Sequence, residues 1–390
     1  MKVDGAASGP VVLDTAGLAA AVETLIGDGW SVIAPTVRDG AMVHDVIESV
    51  ADLPTGWGDK QEPGRYRLRR RDDSARFGYA APAQSWKRLL FPPRTTLWRA
   101  HRPPPGSADR DAGDFVVQVA TATPRYAFLG ARACEVRAIE IQDRVFLGGA
   151  HTDPGYRAAR ESALVIAVNC SSPADTCFCS SMDAGPRVAS GADVVLTEVA
   201  EPQHREPWYL AEAFSDRGAA LLRRVPSAAA TPEAIDAADA VVANAAAHMG
   251  REMPDVDLHE LLSESLEHPR WDDVAERCLA CTSCTLVCPT CFCSSVEDVT
   301  DLTGTEARRD RRWASCFELD HSYLHGGSIR SGIRSMYRQW LTHKLGTWFD
   351  QFGTSGCVGC GRCVTWCPAG IDITEEIRAI AGPHLQEVTP

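Results

Sequence analysis

Residues 278–289, CLACTSCTLVCP, and residues 357–368, CVGCGRCVTWCP, share one pattern of cysteines. Each run reads Cys-x2-Cys-x2-Cys-x3-Cys-Pro, which is the spacing of thiolates that hold [4Fe–4S] clusters. Two copies of the whole pattern, each ending in Cys-Pro, would rarely arise by chance. The two runs therefore predict a C-terminal part that binds two clusters and carries electrons.

The fourth cysteine of each run is the one that ligates the other cluster in two-cluster ferredoxins. We therefore expect crossed ligand sets, with the first cluster on Cys278, Cys281, Cys284 and Cys367, and the second on Cys357, Cys360, Cys363 and Cys288. A pair of zinc sites is the alternative, because zinc also takes four cysteines. Zinc ribbons usually pair two short Cys-x2-Cys knuckles, so we favour the clusters.

The composition of the chain narrows the class of protein. Its 390 residues allow two or three domains, and 45% hydrophobic residues suit ordinary globular cores. A net charge of -13 makes nucleic acid a poor partner. Neither a secretory signal nor an apolar run long enough to cross a bilayer is visible. We expect no membrane contact and a cytoplasmic location, where thiols stay reduced and can bind clusters.

Periodicity predicts an α+β, multi-domain chain. A helix is expected over 14–29, followed by a strand over 30–35, and a capped helix over 231–248. Further strands are expected over 115–119, 126–129, 163–168 and 193–197, which favours a partly parallel sheet. We predict an N-terminal α/β region (1–105), an α/β domain (106–250) entered through a loop or linker at 102–113, and an α-helical 2[4Fe–4S] ferredoxin-type domain (251–390).

Four further cysteines lie in the α/β part, and two of them follow predicted strands. Ligands gather at the carboxyl ends of strands in open α/β sheets, so these thiols could converge on one site. They make a full thiolate set for a third [4Fe–4S] cluster, consisting of Cys134, Cys170, Cys177 and Cys179. The alternative is that they are buried, inert cysteines, a common fate of this residue type.

Three cysteines remain, namely Cys291, Cys293 and Cys316. They could hold a further cluster with one other ligand, for instance from Asp320 or His321, or they could pack beside the first cluster, and we favour packing.

The alternating arginines of 65–71 also allow two interpretations. We favour a solvated hairpin over a docking patch for an acidic partner or a phosphate.

Motifs for other cofactors are missing from the sequence. It has no GxGxxG after a strand, no Walker A sequence, no nucleophile elbow, and no paired CxxC motifs for a nickel–iron centre. A chain rich in cluster ligands but without a catalytic cofactor is best understood as a non-catalytic electron relay between partners.

The motifs together resemble the β subunit of sulfhydrogenases, which are cytoplasmic NAD(P)-linked nickel–iron hydrogenases. The similarity covers nearly the whole chain. It rests on both cysteine runs, on Cys291-Phe-Cys293, Trp313-Ala-Ser-Cys316-Phe and His325-Gly-Gly, and on the N-terminal motifs Pro35-Thr-Val-Arg-Asp-Gly40, Gly64-Arg-Tyr-Arg-Leu-Arg69, Cys134-Glu-Val-Arg-Ala, Asp143-Arg-Val-Phe, Asn169-Cys170 and Cys177-Phe-Cys179-Ser-Ser-Met. One departure is Asp183, where the pattern leads us to expect a glycine.

The resemblance implies a partner with FAD and NAD(P)H sites, a small iron–sulfur subunit and a large nickel–iron subunit. In such a complex this chain would carry electrons beside the flavin subunit. The electron-transfer subunit of anaerobic sulfite reductase is a close cousin and gives an alternative complex. A second alternative is a stand-alone enzyme that uses the spare cysteines on a sulfur substrate.

Overall fold

A computed structural model of the chain describes residues 9–103, 115–119, 124–200 and 206–382. Most of the linker predicted at 102–113 lies outside these ranges. The strands in the described residues are β1 (Val11–Leu13), β2 (Ser31–Arg38), β3 (Ala41–Val46), β4 (Trp57–Glu62), β5 (Arg65–Arg70), β6 (Arg94–His101), β7 (Val116–Val119), β8 (Tyr126–Ala131), β9 (Leu164–Val168), β10 (Val194–Val199), β11 (Trp208–Ala213), β12 (Ala228–Ala229), β13 (Ser294–Thr300), β14 (Glu306–Trp313), β15 (Tyr323–Leu324) and β16 (Gly327–Ser328).

The helices alternate with the strands in the first two thirds of the chain. In the last third the helices follow one another at shorter intervals. In the described ranges they are α1 (Thr15–Gly27), α2 (Lys87–Leu90), α3 (Ala133–Leu147), α4 (Pro154–Ser162), α5 (Asp216–Leu222), α6 (Pro232–Ala247), α7 (Leu258–Glu264), α8 (Arg270–Arg277), α9 (Ser283–Leu286), α10 (Ile333–Thr342), α11 (Trp348–Phe352), α12 (Arg362–Thr365) and α13 (Ile373–Ala381). A π-helical turn, His343–Thr347, joins α10 to α11.

An eight-stranded sheet organises the N-terminal two thirds, in the order β12-β1-β11-β10-β9-β8-β2-β3. Strands β2, β8, β9 and β10 are mutually parallel, and the outer pairs are antiparallel. The partly parallel sheet predicted from the alternation is therefore confirmed. Strand β9 is buried along its whole length, which suits an apolar strand covered on both faces. The sheet's central parallel strands direct their carboxyl ends, and the loops that follow them, to one edge.

Local sequence explains the elements that were predicted. Asp14 caps α1 by accepting a 2.8 Å hydrogen bond from the Gly17 N–H, and the buried stripe of α1 includes Leu18, Val22 and Leu25. Thr231 caps α6 in the same way, with Pro232 at the first helical position. These elements begin where their caps predict because the caps satisfy otherwise unpaired backbone donors.

The C-terminal part is less purely helical than predicted. Strands β13 and β14 form a hairpin that pairs with β6 and β7 in a second, four-stranded sheet, so residues 294–313 depart from the mainly α-helical domain predicted over 251–390. The hairpin has no clear apolar period because cross-strand ion pairs line it, such as Arg309 with Asp298 and Arg312 with Glu297.

Strands from both sides of each predicted domain boundary share sheets. The large sheet contains β1–β3 from 1–105 together with strands from 106–250, and β6 joins the hairpin from 251–390. The arginine-rich β5 pairs with β4 in a hairpin whose Arg65, Arg67 and Arg69 are exposed. Its other face packs inward, and the Tyr66 ring stacks on Trp366 with ring centroids 5.1 Å apart. This is the solvated hairpin that we favoured, and it lies against the second cysteine run.

Candidate functional site

The two cysteine runs fold into similar loops. In each loop the second and fourth residues after the first cysteine have left-handed backbone, namely Ala280 and Thr282 in one, and Gly359 and Gly361 in the other. A short helix follows each loop, α9 in the first run and α12 in the second. The first three cysteines of each run lie close to one another in these loops.

Equivalent backbone donors meet the first thiol of each loop. The Ala280 N–H points to the Cys278 Sγ at 3.4 Å, and the Gly359 N–H points to the Cys357 Sγ at the same distance. Hydrogen bonds to cluster sulfurs are one of the factors that set reduction potential. The loops thus supply both the thiols and the donors that a cluster uses.

A cavity brings Cys367 to the first loop. Its walls include Cys278, Cys281, Cys284 and Cys367, which we call site one, and Cys288 is not among them. Apolar side chains complete the walls, including Phe317, Tyr337, Trp340 and Ile371. Burial raises the pKa of the Cys284 thiol, and the neighbouring thiols of Cys278, Cys367 and Cys281 raise it further. The donor set, its apolar walls and its backbone donors fit a [4Fe–4S] cluster.

The other set of four is the one predicted around the second loop. The thiols of Cys357, Cys360 and Cys363 each interact electrostatically with Cys288, and we call these four residues site two. Burial is the largest effect on the pKa of Cys357, which rises to about 12. Cys367 thus lies at the first loop and Cys288 interacts with the second, while Cys363 also lines the first-loop cavity and Cys288 also acts on Cys284. The crossed ligand sets stay a prediction.

The four cysteines of the α/β part also come together, and we call them site three. Cys134 lies in the first turn of α3, just after β8, and Cys170 follows β9, so both lie at the carboxyl ends of adjacent parallel strands. Cys177 and Cys179 approach from the loop beyond. Burial raises the pKa of the Cys179 thiol, and the neighbouring Cys170 thiol raises it further. Burial also raises the pKa of the Cys134 thiol, and Cys179 is the neighbour that raises it most.

Sites two and three are in direct contact. The Phe178 N–H donates to the Gly359 carbonyl at 2.8 Å, and the Cys177 Sγ lies 3.9 Å from the Cys360 carbonyl oxygen. A Cβ at Gly359 would lie 2.5 Å from the backbone of Phe178, and a Cβ at Gly361 would lie 2.5 Å from the Thr176 carbonyl oxygen. Glycine is needed at both positions because the two loops touch through their backbones.

A buried ion pair joins the same two sites. Arg362, in α12, forms an ion pair with Glu135, which follows Cys134, and both side chains are almost completely buried. Burial opposes ionisation of Glu135, but the Arg362 guanidinium outweighs it and holds the pKa of the carboxyl below its usual value. Sequence reasoning missed this pair because its partners are 227 positions apart.

The structure explains why a glycine was expected at position 183, where this chain has Asp183. Asp183 ends the short 3-10 helix Cys179–Met182 with a φ of 49°, in the left-handed region that glycine adopts most easily. Asp tolerates this conformation better than most residues. The departure therefore leaves the thiols of site three in place.

The remaining cysteines lie beside sites one and two. Cys291 is next to Cys288, and Cys293 is next to Cys316, within hydrogen-bonding reach in each pair. The side chains of Asp320 and His321 are exposed. Sequence reasoning missed a buried lysine, Lys344, whose Nζ lies 3.3 Å from the Cys288 Sγ. The clue was its helical spacing from the apolar residues Trp340, Leu341 and Trp348, which are all buried.

Two negative observations apply to the part of the chain that the structure describes. No three or more His, Cys, Asp or Glu side chains there are grouped tightly enough to hold a single metal ion. Within the described ranges, no helix is both long enough and apolar enough to span a lipid bilayer.

Comparison with known proteins agrees with this geometry. Residues 277–371 match the family described as a 4Fe-4S dicluster domain. The chain is 28% identical over 305 residues to sulfhydrogenase 2 subunit beta of Pyrococcus furiosus, which covers 75% of this chain and 82% of that protein. The predicted resemblance is confirmed. No solved structure is significantly similar to the chain.

The two matches support an iron–sulfur electron-transfer role, since the relative is a sulfhydrogenase β subunit and the family is a 4Fe-4S dicluster domain. The dicluster domain implies iron–sulfur clusters and spans sites one and two from Arg277 to Ile371. Site three lies outside that domain.

Proposed function

We propose that the chain is the non-catalytic electron-transfer subunit of a hydrogenase complex. It relays electrons between a subunit that binds FAD and NAD(P)H and a large nickel–iron subunit, accompanied by a small iron–sulfur subunit. Its ligands are the twelve cysteines of sites one, two and three, for two [4Fe–4S] clusters and a third. Clusters held by these thiolates would supply one-electron transfer.

The continuity of the three sites carries this proposal. Site three meets site two at Cys360, and Cys363 of site two also lines the cavity of site one. The row ends at Cys281, which is exposed. Electrons therefore have a continuous row of thiolate sites from the edge of the large sheet to the surface.

The chain's own residues insulate the row and fix its order. Apolar side chains such as Trp340 and Ile373 wall site one from water, and the Arg362–Glu135 pair holds site two against site three. Backbone N–H groups stabilise thiolates at Cys278, Cys357 and Cys367, the last through the Ile371 N–H at 3.4 Å. These contacts position redox groups. None of them presents a side chain that could react with a substrate.

We also propose a cytoplasmic location. All fifteen cysteines lie in the described residues, and none forms a disulfide. Free thiols in such number suit a reducing compartment.

The test uses the native complex and the chain by itself. The complex should reduce NAD(P) with hydrogen, whereas the reconstituted chain alone should accept electrons from dithionite and show no turnover with hydrogen. Turnover by the isolated chain would contradict the relay. A metal assay separates the complexes: nickel supports the hydrogenase, and siroheme without nickel would assign the chain to a sulfite reductase instead.

A further inference from the structure

The β4–β5 hairpin presents a basic surface to solvent. Lys60 lies directly opposite Arg67, Glu62 lies directly opposite Arg65, and Arg69 follows on the same side, so these side chains share the outer face of the hairpin. We call Lys60, Arg65, Arg67 and Arg69, which are all exposed, the arginine face. Lys60 pairs with Glu62 at 2.9 Å. Among the described residues, the three arginines form no ion pair with Asp or Glu.

The other arginine-rich hairpin of the chain, β13–β14, neutralises its charges. Every arginine of β14 forms an ion pair, Arg308 with Asp310, Arg309 with Asp298, Arg311 with Asp153 and Arg312 with Glu297. In the β4–β5 hairpin the residue opposite Arg67 is instead Lys60, and like charges directly opposite each other destabilise a sheet. A chain with a net charge of -13 thus keeps uncompensated positive charge in one place. Folding does not explain this concentration of charge.

The β4–β5 hairpin also lies on the second cysteine run. At its tip the Gly64 N–H donates to the Val364 carbonyl at 3.1 Å, and a Cβ at Gly64 would lie 3.0 Å from the Cys367 carbonyl oxygen. Its inner side packs on the same run through the stacked rings of Tyr66 and Trp366. A single layer of hairpin therefore separates the arginine face from the residues around Cys367 of site one.

The dimensions of the arginine face indicate what it binds. Alternate residues of a strand are about 7 Å apart, so the row of three arginines is about 13 Å long. That length matches a row of carboxylates on a protein and exceeds one phosphate group. Permanent subunit interfaces are larger and more apolar, whereas encounters between electron-transfer proteins are small. Opposite charges guide such encounters.

We propose that the arginine face binds a diffusible electron-carrier protein with an acidic surface. The carrier loses one electron and the chain gains it, with no bond formed or broken. This exchange point rests on the relay proposed above and adds a partner to the permanent ones. Sequence alone favoured a merely solvated hairpin, because it does not show that the hairpin covers the second cysteine run.

Stopped-flow kinetics with the full-length, anaerobically reconstituted chain tests the arginine face. The electron donor is a reduced plant-type [2Fe–2S] ferredoxin, used as an acidic probe. Replacing Arg65, Arg67 and Arg69 together by Gln should slow the second-order transfer by about tenfold or more at low ionic strength, the size of an electrostatic steering effect. The variant should still take up as many electrons from excess dithionite as the wild type, because that endpoint needs no docking.

A control variant removes the same charge from the other hairpin. Replacing Arg308, Arg309 and Arg312 together by Gln should leave the rate close to that of the wild type. Raising the ionic strength from about 0.01 M to about 1 M shortens the Debye length from about 30 Å to about 3 Å, which should slow the wild type but not the β5 variant. Equal rates in the two triple variants would overturn the proposal. Failure of the relay would look different, since even the wild type would then take up no electrons from dithionite.

Isothermal titration calorimetry with oxidised ferredoxin measures docking without electron transfer. Binding should be present in the wild type at low ionic strength and lost in the β5 triple variant. Equal iron content in the two proteins shows that the variant folds. Tight, saturable binding of inorganic pyrophosphate would assign the face to a phosphate ligand, and self-association at low ionic strength would assign it to a second copy of the chain. Either result would overturn the proposal.

The single variant Arg67→Gln separates docking from folding. It removes the like charge opposite Lys60, so it should raise the midpoint of urea unfolding while it slows transfer from ferredoxin. A lower midpoint together with an unchanged rate would show that this arginine serves the fold, and would contradict the proposal.

Discussion

The buried Arg362–Glu135 pair should be essential for holding site two against site three. Arg362 also donates to the Pro82 carbonyl at 2.6 Å and to the Gln84 carbonyl at 3.1 Å. Arg362→Met removes these three interactions and the hydrogen bond between Arg362 and the Cys360 thiol. It strands the Glu135 carboxylate, which keeps bonds only from the Trp86 Nε1 at 3.1 Å and the Arg132 N–H at 3.0 Å among those described.

The expected cost follows from the burial of both groups. Removing one partner of a buried pair typically costs about 3–5 kcal/mol, because the other charge remains without compensation. Arg362→Met should therefore lower the free energy of unfolding by about that amount. Adding Glu135→Gln removes the stranded charge but keeps the size of the side chain and an acceptor. The double variant should be at least about 1 kcal/mol more stable than the sum of the single changes predicts.

Urea unfolding of the anaerobically reconstituted chain, followed by tryptophan fluorescence, measures these differences. Four proteins complete the cycle: wild type, Arg362→Met, Glu135→Gln and the double variant. Iron content is read in parallel, and Arg362→Met should lose iron from sites two and three before site one. If the two single effects simply add, the residues are not coupled and the reasoning fails.

Three other predictions concern ligands, pH and backbone. Cys367→Ser should disturb the spectrum of the cluster at the first loop, and Cys288→Ser that of the second; electron paramagnetic resonance showing the opposite assignment would refute the crossing. His44 is fully buried, and burial lowers its pKa to about 4 from 6.5, so the unfolded chain takes up a proton first as pH falls. His44 should therefore contribute a loss of stability of about 1.4 kcal/mol per pH unit between pH 6.5 and about pH 4, and His44→Phe should remove this contribution in urea titrations. Gly359→Ala should release iron from site two, whereas Gly304→Ala, with a similar positive φ but open space around it, should cost stability alone; equal iron loss in both would contradict the role of backbone contact.

The sequence predicted the elements that have local signals. Caps such as Asp14 and Thr231 mark helix starts because they pair backbone donors nearby. The two cysteine loops were predictable because the spacing of the first three cysteines in each run is local. The crossed fourth ligand of each set joins distant positions and stays a prediction. The convergence of Cys134 and Cys170 followed from the parallel order of β8 and β9.

The features that were missed depend on contacts between distant segments. Hairpin β13–β14 was missed because its strands are stabilised by ion pairs and by pairing with β6, and they carry no clear apolar alternation. Lys344 lies on an apolar helical face, and only the fold shows that this face meets Cys288. Only the fold shows, likewise, that the Lys87 Nζ donates a hydrogen bond to the Cys291 carbonyl, 204 positions away in the sequence.

Locating the iron atoms tests the central claim most directly. Anomalous diffraction at the iron edge from crystals of the anaerobically reconstituted chain would show each iron group and the sulfurs bound to it. We predict iron at sites one, two and three in a row, with Cys367 bound to the group at Cys278 and Cys288 bound to the group at Cys357. Iron absent from site three, or each run closing on its own cluster, would contradict the account.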